Sequence, residues 1–209
     1  MLELLVVDEH SIFRMGLKRL LSDEPDMRVT GEASDGASAL LSIRSHAYGM
    51  VVLDINMKGR SGLETLAAIR AEQPRLPVIM LSSYEVELYA AFALRGGANA
   101  YLSKNAEPEE IVRVIREVGR GTYLSPSVAG TVLEQAPHVG SHSPHERLTP
   151  RETQVVMRIV KGQSISEIGL SMCLSVKTIS TYRTRALEKL GLTSNAQLVQ
   201  YAVQNGLVD

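Results

Sequence analysis

The chain has 209 residues, enough for two small domains, and 44% of them are hydrophobic, which suffices for packed cores. No apolar run approaches the ~20 residues that span a bilayer, and the first residues lack a basic segment followed by an apolar signal core, so we expect a cytoplasmic protein without a membrane partner. The formal net charge is −1, but residues 146–209 hold 8 Lys and Arg against 5 Asp and Glu, whereas the other 145 residues hold 14 against 18. This asymmetry favours nucleic-acid binding by the C-terminal part.

Strand and helix patterns alternate five times in the first 120 residues. The apolar runs predict strands near 3–7, 28–33, 50–54, 77–82 and 99–102. Amphipathic patterns predict helices near 11–22, 36–46, 63–73, 85–96 and 107–120. Such alternation is typical of a parallel sheet with right-handed crossovers and helices on both faces. The strand order that fits five units of this size is 2-1-3-4-5, a flavodoxin-like doubly wound α/β fold.

Chemically active residues follow the predicted strands where each strand ends. In the order 2-1-3-4-5, strands 1 and 3 are neighbours, so Asp8, Glu9 and Asp54 come together at the carboxyl edge of the sheet. Three carboxylates at one edge repel unless a cation neutralises them, and Mg²⁺ is the hard, oxygen-seeking ion that suits them. Strand 4 ends at Ser82 and strand 5 is followed by Lys104. A carboxylate nucleophile, a metal, a hydroxyl and a lysine together suit phosphoryl transfer.

These residues, in this order, resemble a response-regulator receiver domain over residues 1–125. The matching positions are Asp8, Glu9, Asp54, Ser82, Tyr101 and Lys104. The resemblance implies that a sensor histidine kinase phosphorylates Asp54, with Mg²⁺ held by Asp8, Glu9, Asp54 and the backbone carbonyl of Asn56. It also implies that Ser82 and Lys104 bind the phosphate while the ring of Tyr101 turns inward.

Two positions depart from the receiver pattern. Lys58 stands where the family usually has proline after Met57, and Asn105 follows Lys104 where a cis proline is common. A cis bond before a residue other than proline is costly, so the backbone after Lys104 is not predicted by the resemblance. Neither change removes a group needed for phosphorylation.

The C-terminal part follows a stretch rich in proline, glycine and serine, residues 126–146, which we interpret as a linker. Its histidines, His138, His142 and His145, could suggest a metal site, but a linker does not preorganise ligands. Four helix-start signals come next, beginning with the capping boxes at Thr149 and Ser164. Further cap residues are Ser175 and Ser194, and glycines expected at helix ends are Gly162, Gly191 and Gly206.

The helix predicted over 176–190 is amphipathic and basic. Its apolar face is predicted to contain Val176, Ile179, Ala186, Leu187 and Leu190. The other face carries hydroxyl and basic side chains, and a very short turn joins this helix to the preceding one, which is typical of a helix-turn-helix. The single cysteine, Cys173, cannot form an internal disulfide, and its place in a helical pattern predicts a small core residue.

Residues 147–209 resemble the LuxR-type helix-turn-helix of the NarL/FixJ response regulators, through Leu148–Glu152, Ile165–Ile168, Leu174–Ile179 and Leu187–Gly191. The resemblance implies that helix 176–190 enters the major groove of promoter DNA. By position, the candidates for base contacts are Ser180, Thr181 and Thr184. The candidates for phosphate contacts are Lys177, Arg183 and Arg185, and Thr178 is a further DNA-binding candidate at the flank of the polar face. Short hydroxyl side chains lack the bidentate arginine–guanine contact, so we expect specificity to depend on two paired half-sites and a homodimer.

The two resemblances predict a transcription regulator whose DNA binding depends on phosphorylation of Asp54, and no enzyme activity beyond its own phosphotransfer and dephosphorylation. Three alternatives remain open. A phosphatase with an aspartyl nucleophile would carry an acid where Asn56 stands. A DNA-binding protein that needs no phosphorylation, and a regulator that acts only through protein contacts, differ from the main prediction in phosphodonor and DNA-binding assays respectively.

Overall fold

The computed structural model describes residues 1–57, 59–83, 87–121 and 144–207. The chain forms two compact units, Met1–Glu134 and Gln135–Asp209. Within the described ranges, no helix combines the length and apolar character that crossing a membrane requires. The predicted linker lies largely outside the described residues, as do Lys58, His138 and His142, and the domain boundaries stay a prediction.

Among the residues that the structure describes, the first unit contains five strands and five helices. The strands are β1 (Leu2–Val7), β2 (Met27–Ala33), β3 (Met50–Asp54), β4 (Val78–Ser82) and β5 (Ala100–Ser103). The helices are α1 (Ser11–Ser22), α2 (Gly36–Ser45), α3 (Gly62–Glu72), α4 (Glu87–Arg95) and α5 (Pro108–Gly119). Each lies where the sequence predicts one.

The strands form one parallel sheet in the order β2-β1-β3-β4-β5, which confirms the predicted doubly wound fold. Strands β3 and β4 are buried along their whole length because helices cover both faces of the sheet. One face packs against α1 and α5, where Leu17 and Ile115 lie in the same apolar cluster as Val52 and Ile79 of the sheet. Helices α2, α3 and α4 follow one another in contact in the remaining layer.

The second unit is helical. A short 3-10 segment (Pro144–Arg147) precedes α6 (Pro150–Val160), α7 (Ile165–Met172), α8 (Val176–Leu190) and α9 (Asn195–Gln204). Both predicted capping boxes form, at Thr149 and at Ser164. The three helix-end glycines, Gly162, Gly191 and Gly206, have positive φ angles. These local signals therefore set the helix boundaries as predicted.

Two predictions about burial in this unit are wrong. Cys173 is exposed, and it ends α7 in the left-handed conformation with φ of 53°, so its side chain leaves the helix stripe that would have buried it. Val176 is 51% exposed at the first position of α8, whereas Ile179, Ala186, Leu187 and Leu190 are buried as predicted. The buried stripe of α8 therefore begins at Ile179 and not at Val176.

Candidate functional sites

The register of the sheet brings the predicted acidic residues together. Val7, the last residue of β1, pairs with Leu53 of β3, so Asp8 and Asp54 are adjacent at the carboxyl edge. On the other side, Ser82 of β4 pairs with Ser103 of β5, and the next backbone amide, that of Lys104, donates to the carbonyl of Ser82 at 2.7 Å. The carboxyl ends of four neighbouring strands, β1, β3, β4 and β5, thus meet at one edge, as the sequence predicts.

The turn after β3 folds tightly back onto Asp54. The amide of Asn56 donates to Oδ1 of Asp54 at 3.1 Å, and the amide of Gly62 donates to the carbonyl of Ile55 at 3.0 Å. A Cβ at position 62 would lie 2.0 Å from the carbonyl oxygen of Asp54, so only glycine allows α3 to start this close to the strand. Ser61 caps the same helix with a capping box. The nucleophile candidate is therefore held by its own backbone and by a helix start.

Lys104 links the two buried carboxylates. Its Nζ lies 2.6 Å from Oδ2 of Asp8 and 2.8 Å from Oδ2 of Asp54, and the lysine side chain is only 8% exposed. Within the described residues, these two oxygens are buried and accept no hydrogen bond of regular geometry. One cation thus faces two desolvated carboxylates, which leaves the group one positive charge short.

Burial raises the pKa of Asp54 to about 6, because desolvation penalises the carboxylate and the nearby charge of Asp8 adds to that penalty, whereas Lys104 and the amide of Asn56 oppose it. The carboxylate form still prevails at neutral pH. Asp54 is therefore a desolvated but ionised group, which is the state that a carboxylate nucleophile requires.

Tyr101 lies beside this pair, and its side chain is largely buried. Its ring is 9% exposed, and its hydroxyl shares a hydrogen bond with the side chain of Ser82. Burial and the charge of Asp54 raise the pKa of the Tyr101 phenol to about 12, against the effect of the Ser82 contact. The predicted hydroxyl and the predicted aromatic residue are thus coupled directly.

The acidic group also includes a residue that the sequence analysis missed. Within the described residues, the cluster able to hold a metal ion consists of Asp8, His10 and Asp54. Nδ1 of His10 lies 3.0 Å from Oδ1 of Asp8, and Nε2 of His10 lies 3.9 Å from Oε1 of Glu9, so Glu9 flanks the cluster. The run Asp8-Glu9-His10 could have indicated His10 from the sequence, because side chains that immediately follow a strand lie at the same edge of the sheet.

The Lys104–Asn105 peptide bond is trans, since the described backbone contains no cis bond. The amide of Asn105 donates to Oγ of Ser103 at 3.1 Å, which closes the turn locally. The substitution of proline by Asn105 therefore leaves Lys104 directed into the site.

The second unit presents a polar face on α8. A shallow open groove on this helix is lined by Lys177, Ser180, Thr181, Thr184, Arg185 and Glu188. Their spacing of three or four residues places them on one side of the helix. Five of the seven predicted DNA-contacting residues lie in this groove, and Glu188 adds one negative charge at its C-terminal end. The other two predicted residues, Thr178 and Arg183, do not line the groove.

Three other polar side chains of α8 do not line the groove but contact residues of the same unit. The hydroxyl of Thr178 lies 2.8 Å from that of Ser175, the N-cap residue, and Nε of Arg183 donates to Oδ1 of Asn195 at the start of α9. Nζ of Lys189 lies 2.6 Å from Oε2 of Glu152, whose carboxylate also caps α6. Of the basic residues on α8, Lys177 and Arg185 are the two that line the groove.

Comparison with known families matches both units. Residues 4–116 match the family described as "Response regulator receiver domain", and residues 146–202 match "Bacterial regulatory proteins, luxR family".

Curated relatives match over the whole length. The response regulator GacA of Pseudomonas protegens is 36% identical, over 100% of this chain and 99% of its own. The response regulator UvrY of Escherichia coli K12 is 35% identical, over 99% and 96% respectively. Among solved structures, RcsB of Salmonella enterica serovar Typhimurium bound to promoter P1flhDC with the phosphomimetic BeF3⁻ aligns with a TM-score of 0.68 and 22% identity, over 96% of this chain and 97% of that one, which supports the fold.

Proposed function

Because the chain belongs to the NarL/FixJ type of response regulator, with a receiver domain and a LuxR-type DNA-binding domain, we propose that a sensor histidine kinase phosphorylates Asp54 and that this controls binding to promoter DNA. The observation that carries the proposal is the ammonium of Lys104, 2.8 Å from Asp54 and 2.6 Å from Asp8 at the meeting point of three strand ends. Such a paired, desolvated carboxylate suits attack on phosphorus.

In the transfer step, a carboxylate oxygen of Asp54 forms the new bond to phosphorus. The bond between phosphorus and the kinase histidine nitrogen breaks, and its electron pair returns to that nitrogen. Because the pKa of Asp54 is about 6, the attacking oxygen needs no base to remove a proton at neutral pH. The buried surroundings weaken the solvation of the carboxylate, which leaves it available to the incoming group.

The residues present fit Mg²⁺. The donors are carboxylate oxygens, two of which are buried without a regular hydrogen bond. Asp8, Glu9, Asp54 and the backbone carbonyl of Asn56 would hold the ion, with His10 beside them. When bound, Mg²⁺ supplies the positive charge that neutralises the transferred oxygens. The remaining protein groups then position Asp54 and bind the phosphoryl group.

After transfer, Lys104 pairs with a phosphoryl oxygen, and the hydroxyl of Ser82 donates to another. Because Ser82 already shares a hydrogen bond with Tyr101, a new partner for Ser82 changes the environment of the ring. We infer that this exchange biases the receiver toward an active form, which favours a homodimer on two DNA half-sites.

The groove on α8 is the surface that would read DNA. Lys177 and Arg185 are placed to contact phosphates, and Ser180, Thr181 and Thr184 to contact base edges. The hydroxyl of Thr181 donates its hydrogen to the carbonyl of Lys177 at 3.0 Å. Its oxygen would therefore accept, and not donate, a hydrogen bond from a base. Thr178 and Arg183, which contact their own unit, would support the helix instead.

The test of the receiver half is phosphorylation of the full chain. We expect acetyl phosphate with Mg²⁺ to add one phosphoryl group by mass spectrometry, Asp54→Asn to abolish the gain, and Asp23→Asn, at an exposed aspartate, to leave it intact. Labelling of Asp54→Asn equal to that of the native chain would refute the proposed site.

The test of the DNA half is genomic footprinting at one fixed salt concentration, because phosphate contacts make affinity steeply dependent on salt. We expect the native chain to protect discrete paired half-sites and Asp54→Asn to protect them more weakly. Equal protection by both proteins would mean that DNA binding does not depend on phosphorylation, which is the second alternative from the sequence.

A further inference from the structure

The ammonium of Lys104 has a third neighbour besides the two carboxylates. Nζ of Lys104 lies 4.9 Å from the centroid of the Phe13 ring, over its face. Phe13 is a half-buried residue in the first turn of α1, and it packs against the apolar cluster of the sheet and α5. The ring therefore closes the side of the site where α1 begins.

This contact has the geometry of a cation–π interaction. The face of an aromatic ring carries partial negative charge and attracts an ammonium within about 6 Å of the centroid. A lysine ammonium is a compact charge on a flexible four-carbon stem, so its position depends on the groups around it. Around Lys104, those groups are Asp8, Asp54 and Phe13.

We propose that Phe13 is a positioning residue that holds the Lys104 ammonium at Asp54 while the phosphoryl group binds. This inference rests on the proposed function, since it concerns the same site. An Asp8 oxygen that held Mg²⁺ would be shared with the ion, and Lys104 would then depend less on the closer of its two carboxylate partners. The ring neither ligates a metal nor titrates, so its attraction for the ammonium is the same with and without the ion.

A purely structural role for Phe13 makes a different prediction. Phe13→Leu keeps most of the apolar packing and removes the ring, whereas Phe13→Tyr keeps the ring and extends it from a half-exposed position. If the ring only fills space, leucine and tyrosine have similar small effects. If the ring positions the ammonium, tyrosine retains the function and leucine does not.

The experiment measures beryllofluoride binding to the full chain at saturating Mg²⁺, together with Mg²⁺ binding alone. We expect Phe13→Leu to weaken beryllofluoride binding about fivefold, the size of a partly desolvated cation–π contact, and to change Mg²⁺ affinity less than about twofold. Phe13→Tyr should bind both as the native chain does. A second readout is the NMR shift of the Lys104 ε-methylene protons, which the ring moves upfield in the native chain and in Phe13→Tyr but not in Phe13→Leu.

The inference is overturned if Phe13→Leu binds beryllofluoride like the native chain, if it loses Mg²⁺ and beryllofluoride affinity equally, or if the ring shift at Lys104 is absent from the native chain. Failure of the native chain to bind beryllofluoride would instead contradict the proposed function. In that case the NMR shift still decides whether the ring contacts the ammonium.

Discussion

Oδ2 of Asp54 lies 2.8 Å from Nζ of Lys104, so the proposed phosphoryl acceptor is paired with a cation. The same ammonium is 2.6 Å from Asp8, and both carboxylates have no exposed surface. The lysine therefore stabilises the fold as well as the site, because without it two buried negative charges face each other.

Removing this cation should destabilise the receiver. At pH 7 with a chelator present, we expect Lys104→Met to lower the free energy of unfolding by about 3 kcal/mol, since it leaves buried carboxylates without their partner. Saturating Mg²⁺ should restore part of the loss because it binds only the folded state. Urea denaturation measures both effects.

The matched control for that variant is Lys18→Met, at a lysine that is 57% exposed and pairs with Glu32 at 2.9 Å. An exposed pair contributes about 0–1 kcal/mol, so this variant should stay close to the native chain. Equal stability of Lys104→Met and Lys18→Met would contradict the buried ion pair.

Neutralising Asp54 should stabilise the fold, and the gain should depend on pH. The folded pKa of about 6 lies above the ordinary value of 3.8. Ionisation of Asp54 therefore leaves the free energy of unfolding unchanged below pH 3.8 and lowers it by the full amount above pH 6. With a chelator present, Asp54→Asn should therefore gain about 1–3 kcal/mol at pH 7 and roughly half of that at pH 5. Thermal unfolding at the two pH values measures the gain, and a gain that grows as pH falls would show that the pKa is depressed instead.

Adding one methyl group at Gly62 should disturb the site without altering any charged side chain. The added Cβ would lie 2.0 Å from the Asp54 carbonyl and 2.7 Å from Cα of Ile55, both backbone atoms that cannot yield easily. We expect Gly62→Ala to cost about 3 kcal/mol and to slow phosphorylation of Asp54.

Gly16→Ala is the control, because a Cβ at that exposed position of α1 has nothing within 4 Å. Alanine favours the helix there, so this variant should gain about 0.5–1 kcal/mol. Chemical denaturation and a phosphodonor assay on both variants separate the close approach at Gly62 from the general effect of replacing a glycine.

Two lysines on α8 should behave differently although each carries one charge. Lys177 lines the exposed groove, so Lys177→Ala should weaken DNA binding and reduce the slope of log affinity against log salt by about 0.9, the value of one lost phosphate contact. Stability should change little.

Lys189 pairs with the buried Glu152, so Lys189→Ala should lower the free energy of unfolding by about 1–2 kcal/mol and leave the salt slope of DNA binding unchanged. Fluorescence anisotropy with duplex DNA over a salt series, combined with urea denaturation, distinguishes the two outcomes. A reduced salt slope for Lys189→Ala would place Lys189 on the DNA-contacting face.

Local and periodic features of this chain could be predicted from its residues alone. Five alternations of strand and helix predict a parallel sheet, and a parallel sheet brings the residues after its strands to one edge. The proximity of Asp8, Asp54 and Lys104 could therefore be predicted from the sequence alone. The capping boxes at Thr149 and Ser164 form because both partners lie within one turn of chain.

Contacts between elements needed the tertiary structure, because their partners lie far apart in the chain. No local pattern shows that Lys189 forms an ion pair with Glu152, that Arg183 contacts Asn195, or that the Phe13 ring lies under Lys104. The exposure of Cys173 depends on a single left-handed residue, which redirects a side chain that helical periodicity would bury. Periodicity assigns a face to each residue, but only the packed chain determines which charges on that face are already paired.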